Sequence, residues 1–331
     1  MLSLSPIMKK HSTFCLLAGI LLGAVGAVLL SGQAVTDDEQ PRSSVPSVVV
    51  SPSVPTSVDF AGQTIDLRRA DRRERMDREI LAFTYSHQLT LLMLKRANRI
   101  FPIVEPVLKE CGVPDDLKYL MVIESNLDPA IVSKAGAAGL WQFMPATGRE
   151  FGLEVNDNID ERYHIEKATR AACAYLNKQY RQFGDWMTVA ASYNGGPAGV
   201  ARKQTAQGVE SALDMQLVEE TSRYMFRILT AKLVFSDPRR YGFVLRSEDL
   251  YPYIPPKDTV TVTAPIADLV SFARHHGVTF AQLKAENLWL RESSLNNKSG
   301  RTYTLKIPDE KALFYNPKET RAHDRRWVIN R

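Results

Sequence analysis

Residues 114–125 read PDDLKYLMVIES. Pro114 suits the start of a helix, where its missing N–H costs no hydrogen bond, and the carboxylates of Asp115 and Asp116 oppose the helix dipole. From Leu117 onward the apolar residues keep helical spacing, so the stretch predicts a helix that runs to Glu124 or Ser125 and stops before Asp128-Pro129. Leu117, Leu120, Met121 and Glu124 then share one face. A carboxylate on an apolar stripe is costly unless paired or protonated. Burial raises its pKa, which is what a general acid near neutrality requires. A structural Glu held by Arg or Lys would leave the same pattern, so these residues alone favour a helix and leave two roles open for Glu124.

The same punctuation continues outward. Ala135 to Gly139 is a glycine-rich loop, and Leu140–Met144 is a short turn ended by Pro145. His164 to Phe183 is helical and closes at Gly184. Asp185 caps the next helix, which ends at Gly195-Gly196, and Leu217 to Phe235 is a further helix stopped by Asp237-Pro238. No alternating strand pattern interrupts residues 102–245, which predicts an all-helical domain. Before it, Asp66 to about Arg99 lacks Pro and Gly and predicts one long helix, within an N-terminal helical region at 61–101. After Pro252, Pro255 and Pro256 the pattern changes. Val260 and Val262 alternate with threonines, Ile266–His276 and Phe280–Glu286 look helical, and Tyr303, Leu305 and Ile307 alternate again. This predicts a small βααβ module at 257–310, followed by a basic tail at 311–331. The fold class is mainly α.

The chain opens with Lys9 and Lys10, an uncharged run from Phe14 to Leu30, and the small-x-small triplet Gly32-Gln33-Ala34. Residues 1–34 read as a signal peptide or an uncleaved membrane anchor, with the remainder exported. Cys15 precedes the apolar run's end, which argues against a lipoprotein signal. Residues 35–60, with Pro41, Pro46, Pro52 and Pro55, read as an extended Ser/Pro-rich linker. Cys111 and Cys173 could form a disulfide or stay as two thiols, and spacing does not decide between them. No Cys/His cluster has zinc-ligand spacing, and neither metal nor cofactor is expected. The net charge of +5 is mild and scattered, with no nucleic-acid motif, so nucleic acid is not an expected partner.

Two further stretches carry chemistry. GLWQFMP at 139–145 places the Gln142 amide between Trp141 and Phe143, a setting suited to a sugar whose faces stack while its polar groups hydrogen-bond. SYNGG at 192–196 brings a phenol, Tyr193, and an amide, Asn194, to a helix end. Glu124-Ser125, Gly139–Gln142, Tyr193-Asn194 and Glu220-Thr221-Ser222-Arg223-Tyr224, in this order, resemble the successive motifs of family 1 lytic transglycosylases over about residues 70–240. The GLWQFMPATG stretch looks most like the D-type enzymes, which share Trp141 where methionine is usual; Ser192 stands where Ala is usual.

The resemblance implies a goose-lysozyme-like helical fold and cleavage of the β-1,4 bond between N-acetylmuramic acid and N-acetylglucosamine in peptidoglycan. It implies that Glu124 is the acid/base and that Ser125, Gln142, Tyr193, Asn194 and Tyr224 serve the substrate site, with Tyr224 hydrogen-bonding near Glu124. One carboxylate then suffices, because the muramyl 6-hydroxyl attacks C1 to leave a 1,6-anhydro end, whereas an ordinary glycosidase needs two carboxylates. Residues 257–310 resemble a LysM module in Leu269, Ala273, His276-Gly277-Val278, Leu283–Asn287 and Tyr303–Pro308. The usual Gly-Asp-Thr-Leu is replaced by Ala264-Pro265-Ile266-Ala267, so the module either binds glycan or only packs on the enzyme. Two rivals stand beside this reading: a hydrolase with Asp128, Asp157 or Asp160 as second carboxylate, and a non-enzymatic wall-binding protein. The implied partners are peptidoglycan strands and other cell-wall proteins, with the membrane added if residues 1–34 are retained.

Overall fold

The computed structural model describes residues 50–329. The signal or anchor at 1–34, the linker's first part at 35–49 and the last two residues lie outside the described residues. Among those described, no helix is long and apolar enough to cross a membrane.

The protein is mainly helical. It opens, however, on a β-hairpin of β1 (Ser57–Phe60) and β2 (Gln63–Asp66), paired antiparallel with Phe60 opposite Gln63. This corrects the linker reading at 57–60. The two-residue turn has positive φ at both Ala61 and Gly62, which matches the twist of paired strands. Val58, Phe60, Ile65 and Leu67 are buried, so the apolar residues hidden in the Pro-rich composition do form a packed face. Asp116 accepts the Ala61 N–H at 2.7 Å and pairs with Lys232 at 2.7 Å, tying the hairpin down.

The single long helix expected after Asp66 is instead two, α1 (Ala70–Tyr85) and α2 (His87–Glu110), broken at Ser86. Helix α2 runs on through Pro102 and Pro106, so the expected boundary at 101/102 falls inside it. Each proline removes a backbone hydrogen bond. Burial of Phe101, Val104, Val107 and Leu108 along one stripe offsets that loss. The stretch opening at Pro114 forms a 3-10 turn and then α3 (Lys118–Ser125). Next come α4 (Pro145–Glu150), α5 (Ile165–Phe183), α6 (Trp186–Gly195), α7 (Pro197–Gln207) and α8 (Glu219–Ser236). Gly184 closes α5 in the left-handed conformation, and the Asp185 side chain accepts the Thr188 N–H at 2.9 Å to cap α6. Helix α8 is the spine: α1, α3 and α6 all pack on it. Leu117, Leu120 and Met121 are fully buried there, as the one-face reading of α3 requires.

The C-terminal module is β3 (Asp258–Val262), α9 (Leu269–His275), α10 (Phe280–Glu286) and β4 (Tyr303–Ile307), with β3 antiparallel to β4. It packs on the 154–163 segment. Trp289, Leu290 and Tyr303 share one buried cluster with Ala138, Ile159 and Tyr163. Asn158 Nδ2 donates to Glu292 at 2.9 Å and to the Ser294 carbonyl at 2.8 Å, and the Tyr303 hydroxyl donates to Glu154 at 2.8 Å.

The tail is exposed over residues 311–319 and anchored beyond them. Trp327 is buried between Phe101 and Phe235, and its indole N–H donates to the Phe235 carbonyl at 2.7 Å. Arg326 pairs with Asp324, and His323 Nε2 lies 2.9 Å from Glu105 of α2. Cys111 and Cys173 are both free thiols. Arg170 pairs with Glu110 at 2.6 Å and Asn177 Nδ2 donates to the Cys111 carbonyl at 3.0 Å, so Cys173, between them on α5, is aimed at Cys111. Burial, with the Cys111 sulfur beside it, pushes the Cys173 thiol well above its usual range.

Candidate active site

Glu124 stands in the last turn of α3. The chain then makes two left-handed residues in succession, Asn126 with φ 50° and Leu127 with φ 58°. Neither is glycine, so this turn is strained, and Arg96 holds it. Its guanidinium donates to the Asn126 carbonyl at 3.1 Å and pairs with Asp128 at 2.9 Å.

The Tyr224 hydroxyl donates to Glu124 Oε1 at 2.7 Å. Burial raises the Glu124 carboxyl to about pKa 7; the Tyr224 hydrogen bond and the Arg227 charge pull it down, while Glu220 pushes it up. Burial wins, so near neutrality this carboxyl exists in both forms. The Tyr193 and Tyr224 phenols are pushed well above their usual pKa, first by burial, and so stay protonated donors.

From Tyr224 a chain of contacts leads to the other sequence-derived residues. One turn earlier on α8, the Thr221 hydroxyl donates to Asn194 Oδ1 at 2.9 Å. Next to Asn194, the Tyr193 hydroxyl donates to the Trp141 carbonyl at 2.6 Å. Gln142 follows, with φ 48°, its Nε2 donating to the Gly139 carbonyl at 2.8 Å. Glu124, Tyr224, Asn194, Tyr193 and Gln142 are thereby linked, and both amides are half-buried.

Two roles expected from the sequence change. Ser125 is fully buried and its hydroxyl donates to the Met121 carbonyl at 2.8 Å, so it faces the core and not a substrate. Its position one residue past Glu124 rotates it off the exposed face. Trp141 and Phe143 are buried as well, with the Trp141 N–H donating to Thr169 at 3.0 Å, so neither is placed to stack on a sugar. Tyr224, by contrast, is buried and donates to Glu124, in line with the hydrogen bond expected of it.

Residues that sequence reasoning passed over hold the Gln142 loop. Arg162 donates to the Gly136 and Phe143 carbonyls at 2.7 and 2.9 Å, and pairs with Asp160 at 2.6 Å, in a nearly buried cluster. A Cβ on Gly139 would lie 2.0 Å from the Arg162 carbonyl oxygen, so only glycine fits there. The sequence signal for Arg162 was weak, a basic residue following Asp160-Glu161 and preceding Tyr163. Of the three candidate second carboxylates, Asp128 and Asp160 are taken by Arg96 and Arg162.

Comparison with known proteins bears on this geometry. Residues 105–216 match the family model for the transglycosylase SLT domain. The chain carries an SLT transglycosylase domain. Glu124, Gln142, Tyr193 and Asn194 fall inside the matched span, and Tyr224 lies beyond it. Residues 258–311 match the soluble lytic transglycosylase C-terminal LysM-like domain. Membrane-bound lytic murein transglycosylase D of Escherichia coli (strain K12) is 29% identical over 245 residues, which are 72% of this chain and 52% of that protein. The chain thus spans about half the length of that relative. Endo-type membrane-bound lytic murein transglycosylase A of Klebsiella pneumoniae is 34% identical over 90 residues, 25% of this chain and 44% of that one. Among solved structures, the 70 kDa soluble lytic transglycosylase of Escherichia coli aligns with a TM-score of 0.37 at 20% identity, covering 49% of this chain and 29% of that one.

Proposed function

We propose that this protein is a peptidoglycan lytic transglycosylase that cleaves the bond between N-acetylmuramic acid and N-acetylglucosamine with Glu124 as its one acid/base. The observation that carries the reading is the Glu124 carboxyl, within the span matched to the SLT domain, raised to about pKa 7 by burial and hydrogen-bonded by Tyr224. Protonated Glu124 gives its proton to the leaving glycosidic oxygen as positive charge develops at C1. The carboxylate then takes a proton from the muramyl 6-hydroxyl, whose oxygen closes on C1. No water is consumed, and the product carries a 1,6-anhydro end. A pKa near 7 suits both halves, because the same group must give and then take a proton. The engagement of Asp128 and Asp160 by arginines supports the single-carboxylate route over hydrolysis.

Gln142 and Asn194 offer half-buried amides for the N-acetyl and hydroxyl groups of the glycan. The site of action is the cell envelope, in keeping with the names of the membrane-bound relatives, and we read residues 1–34 as the signal peptide or membrane anchor that would export the chain. The deciding experiment is mass spectrometry of muropeptides released from purified sacculi. Anhydro ends from the wild-type chain, lost by about 10²-fold or more in Glu124→Gln, are expected. Reducing ends would establish a hydrolase, and an undiminished Glu124→Gln would remove Glu124 from the chemistry.

A further inference from the structure

Helix α1 contributes one fully buried carboxylate, Glu79, and three arginines converge on it. Arg223 Nε and Nη2 donate to it at 2.7 and 3.2 Å, Arg78 Nε lies at 3.1 Å, and Arg227 Nε stands off at 4.0 Å. A purely structural pair would need one cation. Two of these three come from α8, where Glu220, Arg223, Tyr224 and Arg227 fall at i, i+3, i+4 and i+7 and form one face. Tyr224 on that face touches Glu124. Arg227 is therefore one turn from the residue that meets the carboxyl, and the contact with Glu79 is its one ion pair among the described residues.

We propose that Glu79 is a positioning residue: by clasping Arg223 and Arg227 toward α1, it keeps the Arg227 guanidinium from pairing with Glu124. The inference rests on the acid/base reading of Glu124. A cavity of about 100 Å³, lined by Glu79, Ile123, Asn126, Arg223 and Arg227 among others, gives the guanidinium room to turn toward the end of α3. The other groups facing Glu124 do not compete for it. Tyr224 and Tyr193 are phenols pushed well above their usual pKa, and Glu220 is itself an anion. Arg96, from α2, is committed to Asp128 and to the Asn126 carbonyl. Arg78 is shared between Glu79 and Glu219 at 2.6 Å. Arg227, held among the described residues only by its 4.0 Å contact with Glu79, is thus the cation that loss of Glu79 would release, and its charge already pulls on Glu124 from where it stands.

An Arg227–Glu124 ion pair would hold the carboxylate ionised and remove the acid that protonates the leaving group. The test is a ¹³C carboxyl titration of Glu124 in the full chain, paired with the pH dependence of kcat/KM. In Glu79→Gln both titration and alkaline inflection should move down by about one pH unit, the smaller end of what an adjacent opposite charge produces. In Arg227→Gln both should move up, and the Glu79→Gln/Arg227→Gln double variant should return to or above the wild type. A role in packing alone would lower the melting temperature with the titration unmoved. A folded Glu79→Gln that titrates like wild type overturns the proposal. If Glu79→Gln fails to fold, Arg227→Gln decides, and an unmoved titration there overturns it equally. The carboxyl titration needs no turnover. A moved titration with no anhydro product would sink the transglycosylase reading alone, whereas an unmoved one with anhydro product would sink the positioning role alone.

Discussion

The Tyr224 hydroxyl and Glu124 Oε1 meet at 2.7 Å across a sequence separation of 100 residues. The hydrogen bond favours the ionised carboxyl, and burial opposes it more strongly, so the group settles at about pKa 7. Removing the hydroxyl should leave burial unopposed by this donor. In Tyr224→Phe the alkaline inflection of kcat/KM is expected to rise, and kcat to fall by about tenfold or more for a lost bond to a charged group. A pH–rate profile of the variant against wild type checks both.

Glu124 also sets a stability term. Its folded pKa, about 7, lies above the ordinary 4.5. The folded state therefore holds a proton that the unfolded chain has released. The stabilisation from this group is complete below the ordinary value and is lost as pH rises through about 7, to an extent of roughly 3 kcal/mol. Glu124→Gln carries no such titration. Urea unfolding across this range should show the variant gaining on wild type as pH rises; parallel curves would contradict the raised pKa.

Gly139 has φ 73° and faces the Arg162 carbonyl oxygen, 2.0 Å from where a Cβ would sit. Gly139→Ala must push the backbone of one loop off the other and also strain its own conformation. A loss of about 2 kcal/mol or more is expected. Because Gln142 hangs from the Gly139 carbonyl, activity should fall as well. Thermal melting together with a turnover assay reads the two effects.

Trp327 joins the last described residues to the core beside Phe101 and Phe235. Trp327→Ala should cost about 3–5 kcal/mol, the usual loss for a large buried aromatic. Cutting the chain after Pro256 would remove this anchor together with the module's contacts to residues 154–163, so the truncated protein should melt well below the full chain. Glycan binding by the module is accordingly better measured with surface point variants, by sedimentation with sacculi.

Cys111 is partly exposed and Cys173 is buried, with its thiol held protonated. The thiolate is the reactive form. Limited alkylation of the native, reduced protein should label Cys111 first, and Cys173 only after unfolding. Peptide mass spectrometry reads the order, and equal labelling would contradict the burial of Cys173.

The helices were legible because Pro, Gly and Asp mark their ends locally: Gly184 and Asp185 punctuate α5 and α6 in the sequence as they do in space. The hairpin at 57–66 was not, since its turn is Ala61-Gly62 and its apolar residues follow a run of prolines. The proline-based end of α2 misled for the opposite reason: two missing backbone bonds weigh less than a continuous buried stripe. At the tail, basic composition said nothing of Trp327, whose burial against Phe101 and Phe235 decides its placement.

By itself the sequence determined the helical class, the strand–helix–helix–strand pattern of the C-terminal module and the presence of Glu124 on an apolar helix face, because each depends on the spacing of neighbouring residues along one element. Only the tertiary structure decided that Ser125 and Trp141 turn inward, that Arg162 pins the Gln142 loop, and that Glu79 gathers the arginines beside Glu124. Those relations join residues on different elements. Spacing along the chain cannot rank a partner that packing alone brings within reach, and desolvation, which sets the Glu124 pKa, is a property of everything packed around the group.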